Sequence, residues 1–266
     1  MRGRLLRIQG PALAVLFVIA AAAGAAQAQG DPGVLPENHY KIYEVPGAPA
    51  TVTGPVGLRD QFTSEVVTSL ILEKFGIPAE KHHLDAAGEV FPILDPFLHH
   101  TWWRFQSDET IVRRADVLDQ FGGYSWRVRQ AEFLLTPAGK NQPSIPEGNH
   151  YKCYLADDAP IVDIEVGLVD QVDSVAVIVL QGLYLCNPVA KQYEGVTYPM
   201  ADSTVHLTCY EVINSTPYAV TESVTDQFGQ RPIVLETNTL LCLPAEKGNV
   251  VPTEARSWGR IKSLYR

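Results

Sequence analysis

The chain has 266 residues, 21 of them basic and 30 acidic, for a formal net charge of −9. That length gives one large or two small domains, and the acidic balance argues against a nucleic-acid partner, which is held by clustered Lys and Arg. Motif searching excludes the common enzyme templates: there is no G-x-S-x-G elbow, no H-E-x-x-H and no Gly-rich phosphate loop.

Residues 1–28 have the pattern of an export signal. Arg2, Arg4 and Arg7 precede an apolar run from Ala12 to Ala23, and Ala26-Gln27-Ala28 offers a small-x-small cleavage site. The run is too short for a confident membrane span. The expected product has no integral span after cleavage and is periplasmic, cell-surface or extracellular.

Four copies of one motif follow. The first carries His39-Tyr40-Lys41-Ile42-Tyr43, then Asp60-Gln61-Phe62, then Pro78 and Lys81. The second has His99-His100-Thr101-Trp102-Trp103, Asp119-Gln120-Phe121, Pro137 and Lys140. The third has His150-Tyr151-Lys152-Cys153-Tyr154, Asp170-Gln171-Val172, Pro188 and Lys191. The fourth has His206-Leu207-Thr208-Cys209-Tyr210, Asp226-Gln227-Phe228, Pro244 and Lys247.

Each copy reads as three strands. The segments are short and β-branched, as in Ile161–Val166, or alternate large apolar with polar, as in Tyr124–Arg129. The expected fold is all-β, with four three-stranded motifs forming two six-stranded sandwich- or barrel-like units. The first unit spans 35–143 and the second 144–248, with a polar linker near Gly139 to Ile145.

All four cysteines fall in the second unit. Cys153 to Cys186 and Cys209 to Cys242 are each 33 residues apart, so the repeat register predicts one disulfide per copy. Trp102/Leu135 and Ile42/Gly76 take the equivalent places in copies two and one. A zinc site built from all four thiolates is the rival, although no C-x2-C pair is present.

At these residues the chain resembles a domain of unknown function found, often in tandem, in secreted bacterial proteins. Its pattern is His-Tyr-Lys-Cys-Tyr, then Asp-Gln-Phe, then Leu-Cys-x-Pro-x-x-Lys. The resemblance covers most of residues 36–247 and implies no activity, ligand or catalytic residue.

Other candidates are weighed against structural roles. Asp60, Asp119, Asp170 and Asp226 either cap turns or bind calcium. His82, His83, Asp85, His99 and His100 have the donor types of a zinc or copper site. Trp103 and Trp126, with Arg127 nearby, either stack a sugar or anchor a protein partner, or else fill core. Residues 249–266 form a basic tail in which Trp258, Ile261, Leu264 and Tyr265 have helical spacing. The functional expectation is a secreted, non-enzymatic binding module for a glycan or surface protein, without a required cofactor. The alternatives are a secreted glycan-directed hydrolase and a metal-binding protein using residues 82–100.

Overall fold

The computed structural model describes residues 37–46, 50–84, 88–213 and 215–252, the last four of these for their backbone alone. The export signal, Asp85 and the tail beyond residue 252 lie outside the described residues. Among the described residues the secondary structure is strand, in keeping with the all-β expectation.

Copy one supplies β1 (His39–Glu44), β2 (Thr51–Arg59) and β3 (Ser64–His83), followed by the short β4 (Val90–Phe91). Copy two supplies β5 (His99–Arg104), β6 (Arg113–Asp119) and β7 (Gly122–Lys140). Copy three supplies β8 (Tyr151–Ala156), β9 (Ile161–Val169) and β10 (Ser174–Pro188), with a small hairpin of β11 (Ala190–Tyr193) and β12 (Val196–Tyr198). Copy four supplies β13 (Val205–Ile213), β14 (Val220–Asp226), β15 (Gly229–Leu235) and β16 (Asn238–Pro252). The Asp-Gln pair stands at the turn of a hairpin in every copy. In copies one to three the long strand after that turn leaves the hairpin and enters a second layer of pairing, which in copy four is taken up by the separate β16.

That second layer closes on itself. Antiparallel pairing runs β1, β3, β5, β7, β8, β10, β13, β16, and β16 pairs β1 again through Tyr40↔Cys242 and Ile42↔Leu240. Each copy contributes two of the eight ring strands. What the sequence pattern groups as two six-stranded units is therefore joined into one ring, with β7 and β8 paired across the linker and β1 and β16 across the ends. The physical reason is edge satisfaction. A sheet left open at β1 and β7 would expose two rows of unpaired backbone groups, and closure removes them.

The strands alternate faces, and both faces are buried. One face gathers Tyr40, Ile42, Trp102, Phe133, Tyr151, Cys153 and Leu240 with the remaining cysteines into a compact cluster. It lies inside the ring, because β1 and β8 stand opposite each other and both Tyr40 and Tyr151 donate to the Glu37 carboxylate, at 2.6 and 2.9 Å. An eight-stranded ring leaves space for side chains and little more. The other face presents Tyr43, Phe75, Trp103, Leu134, Tyr154, Leu185, Tyr210 and Leu241, covered by apolar residues of the hairpins such as Val56, Val117, Val166 and Val224.

Both disulfides bridge neighbouring ring strands. Cys153 and Cys186 are direct partners, as are Cys209 and Cys242, with Cα atoms 3.9 and 4.0 Å apart. Trp102↔Leu135 and Ile42↔Gly76 occupy the same register in the other two copies. A Cβ on Gly76 would lie 3.1 Å from Ile42 Cδ1 and 3.4 Å from Trp102 Nε1, so those two side chains already fill the place of the missing bridge.

Hairpins reach across to the alternate copy. β2 pairs β11, β9 pairs the end of β3, β6 pairs the end of β16 and β14 pairs the end of β7. Copies one and three exchange hairpins, and so do copies two and four.

Candidate functional site

The repeated polar residues bind one another. Each Asp closes its own turn by accepting the backbone N–H two residues on: Phe62, Phe121, Val172 and Phe228 donate at 2.8–2.9 Å. Each carboxylate then accepts from the alternate copy. Tyr154 donates to Asp60, Tyr43 to Asp170, Thr208 and Tyr210 to Asp119, and Thr101 and Trp103 to Asp226, over 2.7–3.1 Å. Burial and the adjacent carboxylate push the Tyr43, Tyr154 and Tyr210 phenols far up, so they remain donors. The oxygens at these turns face N–H and O–H groups, the arrangement of a latch between copies. Calcium would instead require them to face a cation.

Repeated histidines have similar duties. His39 Nε2 meets Gln120 Oε1 at 2.8 Å, and His150 Nε2 meets Gln227 Oε1 at 3.1 Å. Burial lowers His39 and His150 to about 3, and His99, His100 and His206 to about 4. All five are neutral imidazoles near pH 7. The closing lysines lie over the Phe of the next copy: Lys81 over Phe121, Lys191 over Phe228 and Lys247 over Phe62. Copy three has Val172 at that place, and Lys140 pairs with Glu222 instead.

The other candidate residues are dispersed. His100 points into the ring, with Nε2 3.2 Å from the Asn149 carbonyl oxygen, while His99 stacks on Phe75 on the opposite face. His82 bonds Glu80 and His83 bonds Lys81, both at 2.6 Å. Among the described residues no group of three or more His, Cys, Asp or Glu is placed to hold a metal ion. Trp103 and Trp126 are both 0% exposed. The Trp126 ring fills the space above Gly182, where a Cβ would come within 2.5 Å of it. Arg127 is at the surface and grips Asp157 at 2.8 and 2.5 Å. That pair and Arg129 hold the Asp157 carboxyl down at about 2. These residues present no exposed aromatic strip.

A cleft of about 760 Å³ opens elsewhere, between the 144–150 segment, the β12 end and the copy-four Asp-Gln turn. Pro137, Ile145, Pro146, Tyr198 and Pro199 give it apolar walls, His150 and Gln227 add polar atoms, and its charged lining residues are the acidic Glu147 and Asp226. Beneath Tyr198 lies Lys191, only 1% exposed, with Nζ 4.2 Å from the Tyr198 ring centre and 4.8 Å from that of Phe228. Burial lowers this ammonium to about 7. Among the described residues Lys191 Nζ, Gln227 Nε2 and His150 Nδ1 have no hydrogen-bond partner. Motif reading misses this place because Tyr198 belongs to no repeat position. The available signal is Glu194-Gly195 flanked by Tyr193 and Val196, a two-residue hairpin turn inserted after the third copy. Glu194 and Gly195 adopt φ of 49° and 79°, as such a turn requires.

Residues 99–244, more than half of the chain, match the family model described as "Repeat of unknown function (DUF7450)". The chain belongs to the DUF7450 repeat family. No curated protein and no solved structure matches it. The DUF7450 match begins at the first residue of β5 and ends within β16, so it takes in copies two, three and four. Copy one repeats the same latch outside that span, through Asp60 and Tyr43. No helix among the described residues is long and apolar enough to cross a membrane.

Proposed function

We propose that this DUF7450 protein is an exported, non-enzymatic binding module, and that it takes a glycan in the cleft under Tyr198. Export is supported by the signal-like residues 1–28 and by two disulfides, a bond type that persists in oxidising compartments. The observation that carries the binding reading is the cleft itself. Most repeated polar residues are taken up by contacts between copies, whereas at the cleft the repeat residues Pro137, His150, Asp226 and Gln227 stand beside the inserted Tyr198 and the 145–148 segment. Its volume, about 760 Å³, is in the range of small-ligand pockets, which favours an oligosaccharide over a flat protein surface. An aromatic ring beside free hydrogen-bond donors is a chemistry that sugars use.

The test is a thermal-shift screen of the mature protein against a glycan panel. A ligand at about 100 times its Kd adds about 2.7 kcal/mol, enough to raise the melting midpoint by several degrees. The shift should vanish in Tyr198→Ala. Binding that survives this change would place the site elsewhere, and cleavage of the bound glycan would make the protein a hydrolase.

A further inference from the structure

The segments around the closing lysines form an internal comparison. β3 runs on past the ring, and its extension is paired on both edges. Lys81 and His82 face Leu168 and Gly167 of β9 on one side, and Phe91 and Val90 of β4 on the other. β11, which carries Lys191, is covered in the same way by β2 and by β12. In both cases the second partner is a short return of the chain, two residues in β4 and three in β12. Each return ends on an aromatic directly opposite the lysine, in the pairs Lys81↔Phe91 and Lys191↔Tyr198. Both rings lie over the ammonium, with Nζ 4.2 Å from the ring centre. Lys81 is thereby 0% and Lys191 1% exposed.

Copy four departs from this pattern. From Glu246 onward β16 pairs with β6, through Lys247↔Val117 to Pro252↔Arg113. The opposite edge is paired with β13 as far as Glu246, and beyond it has no partner strand among the described residues. Lys247 lies over Phe62, yet among the described residues no second ring covers it, and it stays half-buried. An unpaired edge of this kind accepts a strand. At the same place the exposed carboxylates of Asp116 and Glu246 border a groove of about 540 Å³, and neither is in an ion pair among the described residues.

We infer that residues 253–266 dock on this edge of their own chain, with Trp258 over Lys247 in the place that Phe91 and Tyr198 take over Lys81 and Lys191. The segment fits the edge in register, turn and charge. It continues directly from the end of β16, and Trp258 is the first aromatic after Lys247, as Phe91 is after Lys81. Pairing Lys247 with Trp258 centres the reversal on Pro252 and Thr253, and proline presets the backbone for the first central place of a turn. Arg256, Arg260, Lys262 and Arg266 bring positive charge to Asp116 and Glu246. The return needs only the two or three residues that end on Trp258, so Ile261, Leu264 and Tyr265 lie beyond it.

The experiment is lysine acylation of the intact mature protein by a succinimidyl ester, read residue by residue by mass spectrometry, together with backbone hydrogen exchange. The inference expects Lys247 to react within about threefold of the rate of Lys191, and the amides of 248–251 to be protected at every protein concentration. In Trp258→Ala, Lys247 should react about tenfold faster while Lys81 and Lys191 keep their rates. Trp258→Phe should restore the protection. Fast acylation of Lys247 or fast exchange at 248–251 in the wild-type protein overturns the inference and leaves the edge open to a strand from elsewhere. Protection that is lost on dilution, with a dimer by light scattering, overturns the choice of occupant, because the strand then comes from a second copy. Unchanged protection of Lys247 in Trp258→Ala overturns the role of Trp258. Should that variant not fold, the wild-type exchange pattern decides. Residues 256–258 should be protected together with 248–251, and fast exchange at 256–258 overturns the docking.

Discussion

Five buried imidazoles tie the stability of this molecule to pH. His39 and His150 are lowered to about 3, and His99, His100 and His206 to about 4, against an unfolded value near 6.5. As pH falls from 6.5 towards 4, the unfolded chain takes up protons that the folded chain refuses, so stability is lost through that window. Glu37 and Asp119 act in the opposite sense, because burial raises them and the folded state binds their protons first. Two such groups oppose five. On the alkaline side Lys81 and Lys191 at about 7 and Lys247 at about 8 lie below their unfolded values, so stability rises again above neutrality. The melting midpoint should drop by about 5–10 °C between pH 6.5 and 4, as read by circular dichroism. A constant or rising midpoint over that range would contradict the burial of neutral histidines.

Single residues also show where sequence reading stops. Trp103 and Trp126 lie in strands, as their alternation implies, but alternation marks an exposed face only when one face of a sheet is wet. Both faces of the ring are covered at Trp103, and Trp126, in the β6–β7 hairpin, lies on the face turned to the ring, so neither indole reaches solvent. Lys191 was legible as a closing lysine. Its lack of a partner depends on Tyr193, Tyr198 and Phe228 converging from two copies, which no local pattern encodes.

Between elements, the Asp turns are the main latches. Asp119 accepts from Thr208 and Tyr210 at 2.7 Å, both across the boundary between copies two and four. Asp119→Ala would leave two buried hydroxyls without an acceptor and open a turn, at a cost of about 2–4 kcal/mol. Asp119→Asn keeps the shape and one acceptor oxygen and should cost less. Urea unfolding of the two variants distinguishes them, and a loss under about 0.5 kcal/mol for alanine would show that the latch is dispensable. The sequence made the recurrence of Asp, aromatic and Lys plain, together with the 33-residue cysteine register. It did not say that Asp119 meets Tyr210 and not Trp103 of its own copy. Partners at that distance follow from ring order, and a repeat supplies each strand with several equivalent partners.

Considered whole, the molecule is a ring to which each double repeat gives four consecutive strands. Residues 35–143 alone would end in the open edges of β1 and β7, with hairpins β2–β3 and β6–β7 lacking the surfaces of copies three and four that they cover. Residues 144–248 would have the matching deficit. Expressed separately, neither half should give a folded monomer by size-exclusion chromatography and circular dichroism. Mixed or co-expressed, they should recover a one-to-one complex with native strand content. A stable monomeric half would show that a double repeat closes by itself.

The pairing of β1 with β16 also orders events in time. Ribosomes make β1 first and β16 last, so the earliest strand waits through the whole of synthesis for one of its two neighbours. The cysteine loops can close earlier, the third copy before the fourth. Ring closure joins parts of the chain nearly 200 residues apart, as in Ile42↔Leu240, and so carries the largest loop entropy of the ring pairings. A chain cut short before β16 leaves β1 and β13 each with one unpaired edge. Only a product that carries its fourth copy can pair both edges of its first strand.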